Sequence, residues 1–259
     1  MISGRLTAGI LSTLLTALTA LAALPPLASA DNQASGVDII YNVNGKSYEG
    51  YFANAEDSRG LVLLIHDWDG LTGYEKQRAD MLADTGYSVF AVDLFGKGIR
   101  PEKVEDRRQH TGELYRDRRK MRAIMQGALA AAGEQGADIG NAVAAGYCFG
   151  GGAVLELARS GASLRGFATF HGGLGTPKGQ DYSRVKGDIR VYHGTADAAV
   201  TMTDFAALAD RLEAHGVAHE MITYGGARHA FTVMGSERYQ KAADEASWAS
   251  FMAFLKERL

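Results

Sequence analysis

The stretch Gly146-Tyr147-Cys148-Phe149-Gly150-Gly151-Gly152 sets the only cysteine of the sequence between an apolar run, Asn141 to Ala145, and a helical pattern, Ala153 to Arg159. Glycine two positions before and two after a central residue, at a strand-to-helix turn, is the arrangement that holds a nucleophile in a strained elbow, where crowded neighbours must lack a Cβ. The competing reading of Cys148 is a small buried hydrophobe. A helix that begins just after the thiol is expected to favour the thiolate. No Gly-Lys-Ser/Thr follows and the spacing is not that of a dinucleotide loop, so nucleotide binding is not expected here.

Around this turn the sequence alternates between short apolar runs and helical patterns. Val37 to Val43 and Lys46 to Ala53 read as strands joined at Asn44-Gly45, a hairpin signal. Leu61 to Ile65 and Ser88 to Leu94 read as buried strands, with a helix over Tyr74 to Thr85 between them. A long helix or helix pair follows the loop Phe95 to Pro101, with Leu114, Met121, Met125, Leu129 and Ala132 at helical spacing. After the elbow come strands at Leu164 to His171, Ile189 to His193 and His219 to Tyr224, and helices at about Thr203 to His215 and about Glu237 to Lys256. This order predicts an α/β fold with a mostly parallel central sheet and helices on both faces.

Residues 1–30 carry Arg5, an apolar run from Gly9 to Leu24, Pro25-Pro26, and Ala28-Ser29-Ala30 before Asp31. That pattern is a signal peptide with a small-residue cleavage site, which leaves one domain over residues 31–259 and a periplasmic or secreted protein. The other reading is an uncleaved anchor, since the apolar run borders on spanning length. One cysteine forms no internal disulfide, so an exported chain would hold a free thiol. The chain has 27 Lys and Arg against 30 Asp and Glu, and loss of Arg5 leaves 26 against 30. That mild acidity gives no reason to expect nucleic acid, or stable membrane association after cleavage. The mixed charges from Glu102 to Arg122 read as a solvated helix face.

In such sheets the working residues sit at the carboxyl ends of strands. His66 with Asp67, Cys148, Asp197 and His229 all fall there. Cys148, then Asp197 in His193-Gly194-Thr195-Ala196-Asp197, then His229 in Gly225-Gly226-Ala227-Arg228-His229 follow the chain order nucleophile, acid, histidine of the α/β-hydrolase fold. An imidazole must take the thiol proton and return one to the leaving group, while an acid fixes its tautomer. Asp197 as a turn or cap residue and His229 as a loop histidine are the structural alternatives.

These motifs, with His66-Asp67-Trp68-Asp69-Gly70-Leu71 and Asp93-Leu94-Phe95-Gly96-Lys97-Gly98, resemble the dienelactone hydrolase family over essentially the whole region after residue 30. The resemblance implies a Cys-His-Asp hydrolase that forms a thioester with a small-molecule ester or lactone. It also implies an oxyanion hole from the backbone N–H groups of Trp68 and Phe149, in keeping with the general rule for this elbow. Asp67 stands where the family usually has a glutamate that helps activate the thiol, so Asp67 is a candidate supporting acid. Dienelactone-cleaving members carry an arginine shortly after the histidine to hold the substrate carboxylate. Ala230-Phe231-Thr232-Val233 offers none, and Arg100 is a loose candidate, so a neutral or hydrophobic ester suits the sequence as well.

No metal or other cofactor is expected, because the histidines do not recur at ligand spacing. His66 and His171 read as either cleft-lining or structural, His193 as bonded within its turn, and Trp248 as packing of the last helix. The missing arginine and the shortened acid leave a second class open, a non-catalytic binding or thiol redox-sensing protein on the same scaffold. Thioester or peptide substrates also stay open. Substrate-binding residues and oligomeric state are not assigned from the residues.

Overall fold

The computed structural model describes residues 36–259, together with Met1, Ile2 and Gly4. The signal-peptide reading of residues 1–30 therefore lies, but for those three positions, outside the described residues. Every element below belongs to the unit Gln33–Leu259.

The chain opens with β1 (Val37–Val43) and β2 (Lys46–Ala53). Asn44 and Gly45 both take positive φ, 50° and 77°, as a tight two-residue hairpin requires. The remaining strands are β3 (Leu61–Ile65), β4 (Ser88–Val92), β5 (Ala142–Tyr147), β6 (Gly166–Phe170), β7 (Asp188–Gly194) and β8 (His219–Tyr224). They form one eight-stranded sheet in the order β1-β2-β4-β3-β5-β6-β7-β8. Only the β1–β2 and β2–β4 pairings are antiparallel.

Every residue of β3, β4, β5 and β6 is buried, which follows from helices covering both faces. The faces separate by the two-residue period of a strand. Leu61, Leu63 and Ile65 join a core with Met121, Ile124 and Met125 of α3 (Arg118–Glu134) and Val154 and Leu157 of α4 (Phe149–Arg159). Val62 and Leu64 face Ala79 and Leu82 of α1 (Gly73–Ala83) and Phe251 and Phe254 of α6 (Lys241–Arg258). The first core also takes Leu208 and Leu212 of α5 (Met202–Ala214) and Leu114 of α2 (Val104–Arg116).

The expected long helix is a pair. Asp117, at φ −113° and ψ 76°, ends α2 and caps α3 by accepting the Lys120 N–H at 3.0 Å. The last helix starts at Lys241 and not near Glu237. Residues 230–240 run through successive turns that close with the Gln240 N–H donating to the Phe231 carbonyl at 3.0 Å.

Strand β3 has β4 on one side and β5 on the other, so the chain changes direction across the sheet at β3. A crevice opens at the carboxyl ends of strands where such a reversal occurs. The segment after β3 begins His66-Asp67-Trp68, and the residue after β5 is Cys148. Topology alone therefore brings two of the expected site segments together.

Candidate active site

Cys148 sits between β5 and α4 with φ 50° and ψ −110°. A non-glycine residue held there costs about 1–3 kcal/mol. The strain is sustained because the turn is fixed on both sides. The Cys148 N–H donates to the Phe170 carbonyl at 3.0 Å, and its own carbonyl accepts from Gly152 and Gly173 at 3.3 and 3.2 Å. Two glycines are sterically obligatory. A Cβ at Gly146 would stand 2.5 Å from the Gly150 carbonyl, and one at Gly150 would stand 2.3 Å from that of Ile65.

His229 and Asp197 meet the elbow. His229 Nε2 lies 3.1 Å from Cys148 Sγ, and His229 Nδ1 lies 2.7 Å from Asp197 Oδ2. The other Asp197 oxygen accepts the N–H groups of Ala199 and Val200 at 2.8 and 2.9 Å, so the carboxylate is fixed before it meets the ring. Burial would raise the Asp197 pKa, but hydrogen bonds from His229 and from the Val200 N–H outweigh it and hold the group below its ordinary value. It is therefore ionised at neutral pH.

The loop that carries His229 is tied down from α1 and α6. Buried Arg78 donates to the Thr232 carbonyl at 2.8 Å and pairs with Asp244 at 2.5 Å. Tyr74 and Thr232 share a hydroxyl hydrogen bond of 2.8 Å.

The sulfur and the imidazole open into a cavity of about 420 Å³ lined also by Asp67, Trp68, Tyr115, Phe149, Val200 and Arg238. The Phe149 N–H faces the sulfur and the Trp68 N–H faces the Asp67 carboxyl. Both are close at hand, and the two residues bound one cavity.

The thiol itself departs from expectation. Burial pushes it well above its ordinary value, Asp67 pushes the same way when ionised, and the Phe149 N–H at the helix start opposes them without prevailing. The helix terminus does act on the sulfur, but desolvation is larger, so the resting form is the neutral thiol.

Asp67 lines the cavity, yet no hydrogen bond joins it to Cys148, and its Oδ1 is buried without a partner among the described residues. Burial, followed by the Asp69 and Glu75 carboxylates, pushes its carboxyl well up. Glu75 props this loop from α1, accepting the Asp67 N–H at 3.3 Å and the Thr72 N–H and hydroxyl at 2.9 and 2.8 Å.

Three other histidines are structural. His66 accepts the Leu94 N–H at Nε2, 3.1 Å, which leaves Nδ1 to donate to the Asp67 carbonyl at 2.5 Å. His193 donates to the Val200 carbonyl at 3.1 Å. His171 is fully buried behind His229, with Nε2 on the Thr232 hydroxyl at 2.8 Å.

Arg100 is no ligand for a substrate carboxylate. It donates to the Leu71 and Ile99 carbonyls and pairs with Asp93 at 3.6 Å, which turns it away from the cavity.

The structure adds residues that the sequence reading missed. Thr111 and Tyr115 of α2 reach the cavity from a charged run expected to be a solvated face. The Tyr115 ring meets Phe149 edge-on at 5.2 Å. Arg238, nine positions after His229, also lines the cavity and makes no side-chain hydrogen bond or ion pair among the described residues. Tyr115 lies one turn from Thr111, a spacing that places both on one face. No local signal marks Arg238.

The fold and the elbow define the α/β-hydrolase class. Within it the chain belongs to the dienelactone hydrolase family, whose sequence profile matches residues 48–259, and with that family it is a carboxylic ester hydrolase. A Saccharolobus solfataricus protein provisionally named a carboxymethylenebutenolidase is 24% identical over 256 residues, 85% of this chain and 97% of its own. Among solved structures, one named m3DLH is 30% identical with a TM-score of 0.80, covering 86% of this chain and 98% of that one. A dienelactone hydrolase-like promiscuous phosphotriesterase, P91, from metagenomic libraries is also 30% identical, with a TM-score of 0.79 and the same coverage.

Proposed function

We propose that the protein hydrolyses a small ester or lactone by transient acylation of Cys148. The observation that carries this reading is the line from Asp197 through His229 to the sulfur, with contacts of 2.7 and 3.1 Å, at the wall of an accessible cavity. Because the resting thiol is neutral, His229 Nε2 takes its proton as Sγ attacks the carbonyl carbon. The carbonyl oxygen becomes an oxyanion that the Phe149 N–H stabilises, with the Trp68 N–H, which rests against the Asp67 carboxyl, turning to it as the second donor. Collapse breaks the carbon–oxygen bond of the ester, the leaving alkoxide takes the proton from His229, and a thioester remains. A water then gives a proton to His229 and attacks the thioester. The sulfur departs, recovers that proton, and the carboxylic acid is released. Asp197 accepts the Nδ1–H throughout, which keeps Nε2 toward the sulfur and favours the imidazolium formed in each half-reaction.

Asp67 is assigned a supporting role through its form. A carboxyl kept neutral next to the thiol adds no opposing charge as the thiolate develops, whereas its ionised form would oppose it. The cavity wall of Trp68, Tyr115, Phe149 and Val200 suits an apolar acyl group, and Arg238 adds one cation to the same lining. The sequence of residues 1–30 supports export, with the hydrolase acting in the periplasm or outside the cell.

The test is a panel of short aryl esters, lactones and one aryl phosphotriester, the last chosen from the activity named for the P91 relative. Wild-type protein should release nitrophenol, and quenching should leave an acyl adduct on Cys148 by intact mass spectrometry. Cys148→Ala turning over at the wild-type rate sinks the proposal. Amino-terminal sequencing of the protein recovered from fractionated cells should begin at Asp31, and a chain that retains residues 1–30 counts against export with cleavage.

A further inference from the structure

We propose that the cavity of about 590 Å³ bounded by α3, α4 and the loop before β7 binds a compact polyvalent oxyanion, such as phosphate or a phosphate monoester. It shares no lining residue with the cavity at Cys148, so it is a separate site and stands independently of the hydrolase chemistry. Its lining holds four guanidinium groups, Arg119, Arg122, Arg159 and Arg184, against one carboxylate, Asp181. The whole chain carries a net charge of −3, so this concentration of positive charge runs against the overall balance.

The floor is built before any ligand arrives. Glu156, whose side chain is wholly buried, pairs with Arg118, Arg122 and Arg159 at 3.1, 2.9 and 3.1 Å, and accepts from Gln180 at 3.1 Å. Arg159, itself 5% exposed, is further fixed by Gln180 at 2.8 Å and by the Tyr182 hydroxyl at 2.8 Å. Of these three guanidiniums Arg122 and Arg159 line the cavity, so Glu156 beneath them leaves one positive charge unbalanced at this base. Asp181 is the one carboxylate of the lining; it is exposed, so solvent screens its charge, and its Oδ1 accepts the N–H and hydroxyl of Ser183 at 3.0 and 2.6 Å.

At the rim, Arg119 and Arg184 are exposed and make no hydrogen bond or ion pair among the described residues. Rigid guanidinium forks at the base and two unpaired ones at the edge are a donor set for an anion with several oxygens. A monovalent carboxylate offers too little charge and too few acceptors to engage base and rim together.

Isothermal titration of the purified protein with inorganic phosphate, diphosphate and acetate at constant ionic strength tests the site. Saturable one-to-one binding of phosphate or diphosphate, diphosphate the tighter, with none of acetate, is expected. The double variant Arg119→Gln/Arg184→Gln should weaken it by about tenfold or more. Circular dichroism reports folding of the variant, and a second variant, Arg119→Lys/Arg184→Lys, should restore much of the affinity. Co-sedimentation with phosphatidic acid vesicles separates a lipid headgroup from a free anion. Binding that is lost in the glutamine variant supports the site in either arm. Absence of saturable binding to every phosphate probe, or equal affinity in the folded glutamine variant, overturns it. Loss of ester hydrolysis has no bearing on these readouts.

Discussion

His171 meets the ring of His229 edge-on, with centroids 5.3 Å apart and planes at 67°. His171 is fully buried at φ 40°, and burial, followed by the charge of His229, pushes its pKa well below the ordinary value. It therefore stays neutral beside the ring that the proposed cycle uses as the base. His229 is thus held by Asp197 at one nitrogen and backed by an uncharged ring on its face. Removing that backing through His171→Ala should let the imidazole tilt, lowering kcat by about 10- to 100-fold with little change in KM. Steady-state kinetics on a short aryl ester checks this, and a change confined to KM would count against a positioning role.

Asp197→Asn should cost more. The amide has an N–H where the carboxylate had only acceptors, so it favours the wrong tautomer of His229 and withdraws charge from the imidazolium. A loss of ~10²–10⁴-fold in kcat is expected. The Ala199 and Val200 N–H groups can still find the side-chain oxygen, so the thermal midpoint should move far less than the rate.

The thiol should titrate late. Its pKa is raised chiefly by burial and then by Asp67, so the thiolate fraction, and with it the alkylation rate by iodoacetamide, should still be climbing past pH 9. Where the pH is high enough to ionise Asp67 its charge opposes the thiolate, so Asp67→Asn should move that upper part of the profile to lower pH. A rate already level below pH 7 would mark a preformed thiolate–imidazolium pair and overturn the neutral-thiol starting state.

Glu75 gives a stability signature. Burial, partly opposed by hydrogen bonds from Thr72, pushes its carboxyl from 4.5 up to about 7. The folded protein then holds a proton that the unfolded chain has released, so stability should fall as pH rises from about 4.5 toward about 7. Urea unfolding across that range measures the slope. In Glu75→Gln the contribution should vanish, together with about 1–3 kcal/mol from the acceptor lost to the Asp67–Thr72 loop.

Tyr115 divides into ring and hydroxyl. The ring supports Phe149, whose N–H faces the sulfur, while the hydroxyl makes no hydrogen bond among the described residues. Tyr115→Phe should keep kcat for a simple acyl ester within about threefold, whereas Tyr115→Ala should lower it about tenfold or more through loosening of Phe149. Equal effects of the two would move the role from the ring to the hydroxyl.

The elbow was legible in the sequence because its demands are steric and local. Gly146 and Gly150 must lack a side chain for the turn to close, and that requirement is written in adjacent letters. Asp197 and His229 were legible from chain order, since each follows a strand whose carboxyl end has a known place in a parallel sheet. Tyr115 was not, because a helix inside a charged run reveals its packed face only once α2 lies over the cleft. Arg100 was a loose candidate that does not reach the cavity, and Arg238, which does, carried no signal, for a similar reason. Carbonyls of the Leu71 and Ile99 turns capture the first, and the turns before α6 swing the second into the cavity. The raised thiol pKa sums burial over many distant residues, whereas the helix start beside Cys148 is a neighbour and was seen. Helix boundaries failed where tertiary hydrogen bonds decide them, as at Gln240.

The sulfur, imidazole and carboxylate hang from strand ends, whereas Thr111, Tyr115 and Arg238 come from α2 and the stretch preceding α6. Much of the wall that would meet an acyl group is therefore carried by parts of the polypeptide other than those that hold the sulfur and the imidazole. Exchanging Thr111 and Arg238 for a relative's residues would be a direct way to retune which acyl groups are admitted, whereas Tyr115, which packs on Phe149, would alter the rate as well.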